Sequence, residues 1–171
     1  DPKLWVVWHE EYGLAALKSL SEQFKNVVIP YAELEAVPSL AALTRSYSRQ
    51  YGTTFHALSC AKPDNLRQIP FATASTLSWL SPMRRGETIV WNNTKLMRYP
   101  KRMKDQARAR YRNVYVKAGL NADKILEDDD KEVCRLAVWS YLKYEARLNG
   151  VEDTPELYDN SEWSDVEGNG E

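Results

Sequence analysis

Cysteine, glycine and long apolar runs are scarce in this sequence, and each scarcity excludes a class of protein. The only two cysteines, Cys60 and Cys134, lie among apolar residues, so we expect buried free thiols and a reducing, intracellular compartment. No apolar run approaches the roughly 18 residues of a membrane span, so no membrane partner is expected. With seven glycines and no glycine-rich phosphate-binding motif, the chain is expected to bind no nucleotide or other small-molecule cofactor.

Charge is abundant but unevenly distributed. Residues 1–94 hold nine Lys/Arg and eight Asp/Glu, whereas residues 95–117 hold nine Lys/Arg and one acid. Residues 121–171 then hold fifteen acids and five bases, so the net charge of −1 is a cancellation. Such asymmetry indicates charged partners, either elsewhere in the chain or on another molecule.

The first part of the chain alternates buried-strand and helix patterns, which predicts an α/β fold with a small, mainly parallel sheet of about four strands. Short apolar or β-prone runs predict strands at residues 4–8, 27–29, 53–60 and 87–91. Amphipathic spacing predicts helices at residues 12–24 and between Pro38 and Gly52. Residues 65–80 are ambiguous because Pro70 interrupts them, and residues 73–79 are compatible with a short helix.

The last third predicts two further helices and an acidic tail. A helix is expected at residues 101–118, between Pro100 and Gly119, and another at about residues 129–148, beginning with three acids. We therefore expect a single domain over residues 1–148, followed by a tail over residues 149–171. The residues from 151 onward hold eight acids and no base.

The strongest candidate site is the basic helix. Lys101, Lys104, Arg108 and Arg112 recur at three- and four-residue spacing, which predicts one cationic stripe, and Arg98 and Arg102 widen it. Such a stripe could bind the phosphates of RNA or single-stranded DNA, with Tyr99, Tyr111 and Tyr115 as stacking surfaces. The alternative is that the stripe pairs with the acids at residues 128–130 or with the tail.

A second candidate depends on the sheet, because ligands of open α/β sheets bind beyond the carboxyl ends of the strands. Glu10, Glu33 and Asp64 follow three predicted strands. If they converged, they could hold Mg²⁺ or Mn²⁺ for phosphodiester hydrolysis. Acids at these positions are also common without any site, so we favour neither a metal nor an enzyme.

Large apolar residues define candidate contacts with another protein. Trp139 and Tyr141 lie on a helix whose apolar residues occupy most of its circumference, and Tyr158 and Trp163 lie among the acids of the tail. The leading functional hypothesis is a non-catalytic protein-interaction module of a larger intracellular assembly, with the nucleus favoured over the cytoplasm. Nucleic-acid binding ranks second, and a metal-dependent nuclease ranks third.

Overall fold

The chain folds as two units, Asp1–Ser78 and Trp79–Glu171, each with its own hydrophobic core. The computed structural model describes residues 4–151. The last helix ends at Leu148, where the acidic tail was predicted to begin. Most of that tail, residues 152–171, lies outside the described residues.

Unit 1 is built on a four-stranded parallel sheet, which confirms the predicted α/β class. The strands stand side by side in the order in which they occur along the chain. They are β1 (Trp5–Val7), β2 (Asn26–Pro30), β3 (Thr54–Leu58) and β4 (Phe71–Ala74).

Helices follow the strands of unit 1 and bury one face of the sheet. The core contains Val27 and Ile29 of β2 with Phe55 of β3, covered by Leu17 and Leu40 from two of the helices. A turn of 3-10 helix at Glu10–Tyr12 follows β1. The α-helices are α1 (Gly13–Gln23), α2 (Tyr31–Ala36), α3 (Leu40–Tyr51) and α4 (Pro63–Gln68).

The number of strands in the parallel sheet was predicted correctly, but the identity of the fourth strand was wrong. The fourth strand is Phe71–Ala74, within the segment that the sequence left ambiguous. Pro70 directly precedes this strand and does not interrupt it, a position that a proline tolerates because no ladder hydrogen bond is lost there. The predicted strand at residues 87–91 exists as Thr88–Trp91 but belongs to an antiparallel hairpin of unit 2.

Unit 2 combines this hairpin with helices. A turn of 3-10 helix at Ser78–Leu80 precedes the first α-helix, and another at Lys101–Met103 follows the hairpin. The strands are β5 (Thr88–Trp91) and β6 (Leu96–Tyr99). The helices are α5 (Ser81–Arg85), α6 (Lys104–Arg110), α7 (Arg112–Lys117), α8 (Ala122–Leu126) and α9 (Asp130–Leu148).

The core of unit 2 forms where α9 packs against β5. Val90, Tyr115 and Leu136 are buried together there, and the backbone N–H of Trp91 donates to Ser140 Oγ at 3.0 Å. The predicted start of α9 is confirmed: Asp129 caps the helix by accepting the backbone N–H of Glu132 at 2.9 Å.

The predicted basic helix at residues 101–118 is not continuous. It consists of the 3-10 turn followed by α6 and α7, with a break at Tyr111, whose ψ of 13° departs from helical geometry. The ring of Tyr111 is buried in the core of unit 2. Because the segment is broken, i,i+3 and i,i+4 spacing does not place all its cations on one face.

Candidate functional site

Arg108 lies inside unit 2, contrary to the prediction of an exposed stripe. Its side chain is 1% exposed. Its Nε donates to Thr88 Oγ1 at 3.1 Å. One Nη donates to the carbonyl of Ile125 at 3.3 Å and to the carboxylate of Asp128. The guanidinium thus connects β5, the end of α8 and the following turn, so it is a structural group and not a surface for ligands.

Asp128 holds two of the predicted cations at once. Its carboxylate accepts hydrogen bonds from Lys104 and Arg108. These two hydrogen bonds, that from Lys104 first, hold the pKa of the Asp128 carboxyl below its usual value, although partial burial acts in the opposite direction. The alternative interpretation of the basic helix, pairing with an acid of the 128–130 segment, therefore holds for Lys104 and Arg108.

Two further predicted cations have acidic partners at the surface. Arg112 Nη2 lies 2.7 Å from Asp123 Oδ1, with both side chains well exposed. Arg98 Nη2 lies 2.6 Å from Glu87 Oε2. Partial burial raises the pKa of Glu87, but hydrogen bonds from Arg98 and Ser81 and the nearby charges of Arg98 and Arg85 hold it below its usual value. The Arg112–Asp123 pair is exposed, and a pair of this kind contributes at most about 1 kcal/mol and can be displaced by a stronger anion.

Four of the other exposed cations of unit 2 come from two separate segments. Two lie at the end of α5 and two in the turn before α6, and we call them the cationic surface: Arg84, Arg85, Lys101 and Arg102.

Gly86 brings the two segments together. It has a positive φ of 65°, and a Cβ added there would stand 3.2 Å from both Cγ and Cδ of Lys101. The aliphatic stem of Lys101 therefore lies over the backbone of Gly86, directly after Arg85. A side chain at position 86 would occupy the space that Lys101 uses.

The cationic surface has one acid nearby, Glu87, whose pKa the charge of Arg85 helps to lower. Between residues 79 and 151, none of its four side chains forms an ion pair, and Glu87, the nearest acid in sequence, is held by Arg98. Met83 and Met103, which are 50% and 39% exposed, lie beside these cations in the chain. The surface thus offers positive charge that is only partly compensated, and two exposed methionines adjoin its cations in the sequence.

Sequence reasoning assigned Lys101 and Arg102 to the candidate site but missed Arg84 and Arg85. Charges were counted over residues 1–94 as a balanced block, which concealed an adjacent pair of arginines. The available local signal was Arg84-Arg85-Gly86, a basic helix end followed by a glycine, which is typical of a helix C-terminus.

The tyrosines predicted as stacking surfaces belong to the core of unit 2. Tyr111 and Tyr115 are buried, and Tyr99 packs against them. The hydroxyls of Tyr99 and Tyr111 are hydrogen-bonded to each other at 2.7 Å. Burial raises the pKa of Tyr115, although the nearby charge of Arg108 acts in the opposite direction. These rings are therefore not available to unpaired bases.

The strand-end acids of unit 1 do not assemble into the predicted metal site. Glu33 is engaged by its neighbours: one carboxylate oxygen lies 3.3 Å from His9 Nδ1, and the other accepts the backbone N–H of Glu10 at 2.8 Å. Asp64 is exposed on α4. In the described ranges, no group of three or more His, Cys, Asp or Glu side chains is arranged to hold a metal ion.

One face of the sheet in unit 1 carries exposed apolar side chains. Since β2 buries Val27 and Ile29 in the core, the side chains in register with Val28 point to the opposite face. On this face Trp5 and Val7 are each 42% exposed and Leu58 is 39% exposed. Parallel sheets are normally covered on both faces, so this exposure is unusual. We call it the open sheet face.

The residues predicted to contact another protein are placed differently. Trp139 and Tyr141 are half-buried on α9, and Trp139 packs against the core of unit 2. The apolar circumference of α9 thus serves largely to pack its own unit. Tyr158 and Trp163 lie outside the described residues.

Among the helices between residues 4 and 151, none combines the length and the apolar composition needed to cross a membrane. Comparison of the chain with protein-family models, with curated proteins and with solved structures finds no match.

Proposed function

We propose that this protein binds nucleic acid through the cationic surface of unit 2. The observation that carries the proposal is the meeting of two dibasic segments at Gly86, where four exposed cations form no ion pair in the described part of the unit. Lysine and arginine side chains arranged in this way neutralise phosphates and release condensed counterions from the nucleic acid.

The expected contacts are with phosphates and not with bases. The tyrosines of this region are buried, so the cationic surface lacks the aromatic platforms on which unpaired bases stack. Phosphate contacts position a protein on nucleic acid without reading its sequence. We therefore expect binding that depends weakly on sequence and strongly on salt.

The salt dependence follows from the number of cations. Four phosphate contacts predict a slope of about −3 to −4 in a plot of log affinity against log salt concentration. Affinity should then fall about a hundredfold between about 50 mM and about 200 mM salt. Because the net charge of the chain is only −1, such a slope requires a local cationic surface.

The test is fluorescence anisotropy with a labelled DNA duplex and a labelled RNA strand. Replacing the four cations by glutamine should reduce the salt slope to about zero and abolish binding, because no phosphate contacts remain. The matched control removes four exposed cations from unit 1 by the substitutions Lys18→Gln, Lys25→Gln, Arg49→Gln and Arg67→Gln. This variant should bind as the wild type does. Equal losses in both variants, or no binding by the wild type, would refute the proposal.

The open sheet face supports a second candidate function, the protein-interaction module that the sequence ranked first. Trp5, Val7 and Leu58 offer the apolar anchors that protein interfaces use, and they lie on the sheet and not on α9. Affinity purification of the full chain tests it. Trp5→Ser with Val7→Ser should release a protein held by this face, whereas Val116→Ser, which changes an exposed residue of unit 2, should retain it. Both functions are compatible with the predicted nuclear location.

A further inference from the structure

We propose that the acidic C-terminal segment, residues 152–171, occupies the cationic surface and competes there with nucleic acid. This inference rests on the proposed function, since it names the regulation of the same site. It replaces the earlier hypothesis that the tail pairs with the basic helix. In the structure, Lys104 and Arg108 already have Asp128, and Arg112 has Asp123.

Charge complementarity is the first argument. Residues 152–171 contain eight acids and no base. The cationic surface offers four exposed cations that form no ion pair among the described residues of unit 2. An acidic segment and such a surface on the same unit attract each other over about one Debye length, roughly 8 Å at physiological salt.

Apolar complementarity is the second argument. The segment places Tyr158 and Trp163 among its acids. The cations of unit 2 are flanked by Met83 and Met103, both well exposed. Methionine is flexible and makes favourable sulfur contacts with aromatic rings, so a methionine margin suits an aromatic anchor. A purely electrostatic contact would not involve these aromatic rings or the methionines.

The length of the segment is the third argument, because it allows the segment to contact the cationic surface. Helix α9 leads directly into the segment and packs against α5, which carries Arg84 and Arg85. A helix of 19 residues is about 28 Å long. A chain of 20 residues can extend to roughly 65 Å, more than twice that length. The segment can therefore reach any point of α5, and its tether gives it an effective concentration on the order of millimolar.

The expected strength of the competition is moderate. A tethered segment at millimolar concentration, with an intrinsic dissociation constant on the order of 0.1 mM, reduces the apparent affinity of a competitor about tenfold. The effect should weaken at high salt, because both the tail and the nucleic acid use the same ionic contacts.

The first experiment neutralises the tail in the full chain. Four acids beside the aromatic anchors are changed to amides: Glu156→Gln, Asp159→Asn, Glu162→Gln and Asp165→Asn. This variant should bind the labelled duplex about tenfold more tightly than the wild type. A control variant has the same change in net charge through four exposed acids elsewhere: Glu11→Gln, Glu22→Gln, Asp64→Asn and Glu145→Gln. Its affinity for the duplex should increase less than about twofold.

The second experiment tests the contact without nucleic acid. A photo-crosslinking residue, p-benzoylphenylalanine, at position Trp163 should cross-link to Met83 or Met103 within the same chain, and high salt should suppress the product. Cross-links to other sites only, or none, overturn the inference.

The two experiments separate the two proposals. If the duplex binds equally well with and without the acids of the tail, the inference fails and the proposed function stands. If cross-links form at the methionines but no variant binds nucleic acid, the tail occupies the surface and the proposed function fails. If the control gains as much as the tail variant, net charge explains the effect and the competition is refuted.

Discussion

Two groups of cations occupy neighbouring parts of unit 2 and differ in what surrounds them. Lys104, Arg108 and Arg112 have acidic partners at Asp128 and Asp123. The cations of the cationic surface form no ion pair in the described part of the unit, although Lys101 lies only three residues before Lys104. The first group stabilises the fold, and the second is available to a ligand. The role of a cation therefore depends on whether an acidic side chain is paired with it and not on its charge alone.

The depth of burial separates the groups further. Arg108 is almost fully buried, and its guanidinium is hydrogen-bonded to Thr88, Ile125 and Asp128. A buried cation is tolerated only with such partners, because its desolvation costs several kcal/mol. The exposed stem of Lys101 over Gly86 carries no comparable cost. Substitution of Arg108 should therefore change stability, and substitutions in the second group should change binding.

The largest expected effect on stability comes from Arg108→Ala. It removes a large buried side chain and takes the guanidinium donor away from Thr88 Oγ1 and from Asp128, so we expect a loss of about 3 kcal/mol in the free energy of unfolding. Arg112→Ala is the control, since its ion pair is exposed, and it should cost less than about 0.5 kcal/mol. Urea denaturation measures both, and similar losses would contradict the claim that burial gives Arg108 its structural role.

Asp128→Asn tests the pairing through pH. The pKa of Asp128 is lowered in the folded state, so its charge stabilises the fold above the unfolded value of about 4 and loses this effect as the pH falls through the folded pKa. Asparagine tolerates the positive φ of 68° at this position, so the substitution removes mainly the charge.

Wild type and Asp128→Asn should thus differ by about 1 kcal/mol at neutral pH and converge in acid. Thermal unfolding at a series of pH values measures the difference. A difference that grows as the pH falls would contradict the assigned ion pairs.

The smallest expected effect on nucleic-acid binding comes from Gly86→Ala. The new Cβ would crowd Lys101 and would be held at a positive φ, which costs about 1 kcal/mol for a residue other than glycine. Gly52→Ala is the matched control, because Gly52 has a similar φ of 70° but nothing within 4 Å of an added Cβ. Both should lose similar stability, but only Gly86→Ala should weaken nucleic-acid binding, by about twofold. Unchanged binding would show that the position of Lys101 is unimportant.

Local patterns predicted much of the fold. The apolar runs of β1, β2 and β3 and the acids at the start of α9 carry their signals within a few residues. The fourth strand was missed because Phe71–Ala74 is short and has a single large apolar residue. The break at Tyr111 was missed because helical periodicity continues on both sides of it.

The candidate site could be predicted only in part. Composition identified the basic segment, but contacts between distant residues decide which of its cations are available. Asp128 lies 20 residues from Arg108, and Gly86 meets Lys101 across the hairpin. Helical spacing predicts neighbours within one element and does not predict such contacts.

The most direct test of the central claim compares two variants of one segment with equal changes in charge. Lys101→Gln with Arg102→Gln removes half of the cationic surface, and Lys104→Gln with Arg112→Gln removes two paired cations. Anisotropy with the labelled duplex at a series of salt concentrations measures the affinity and the salt slope of both variants. We predict that the first variant loses about tenfold in affinity and about 2 in salt slope, and that the second loses less than about twofold. Equal losses, or a larger loss in the second variant, would contradict the assignment of binding to the cationic surface.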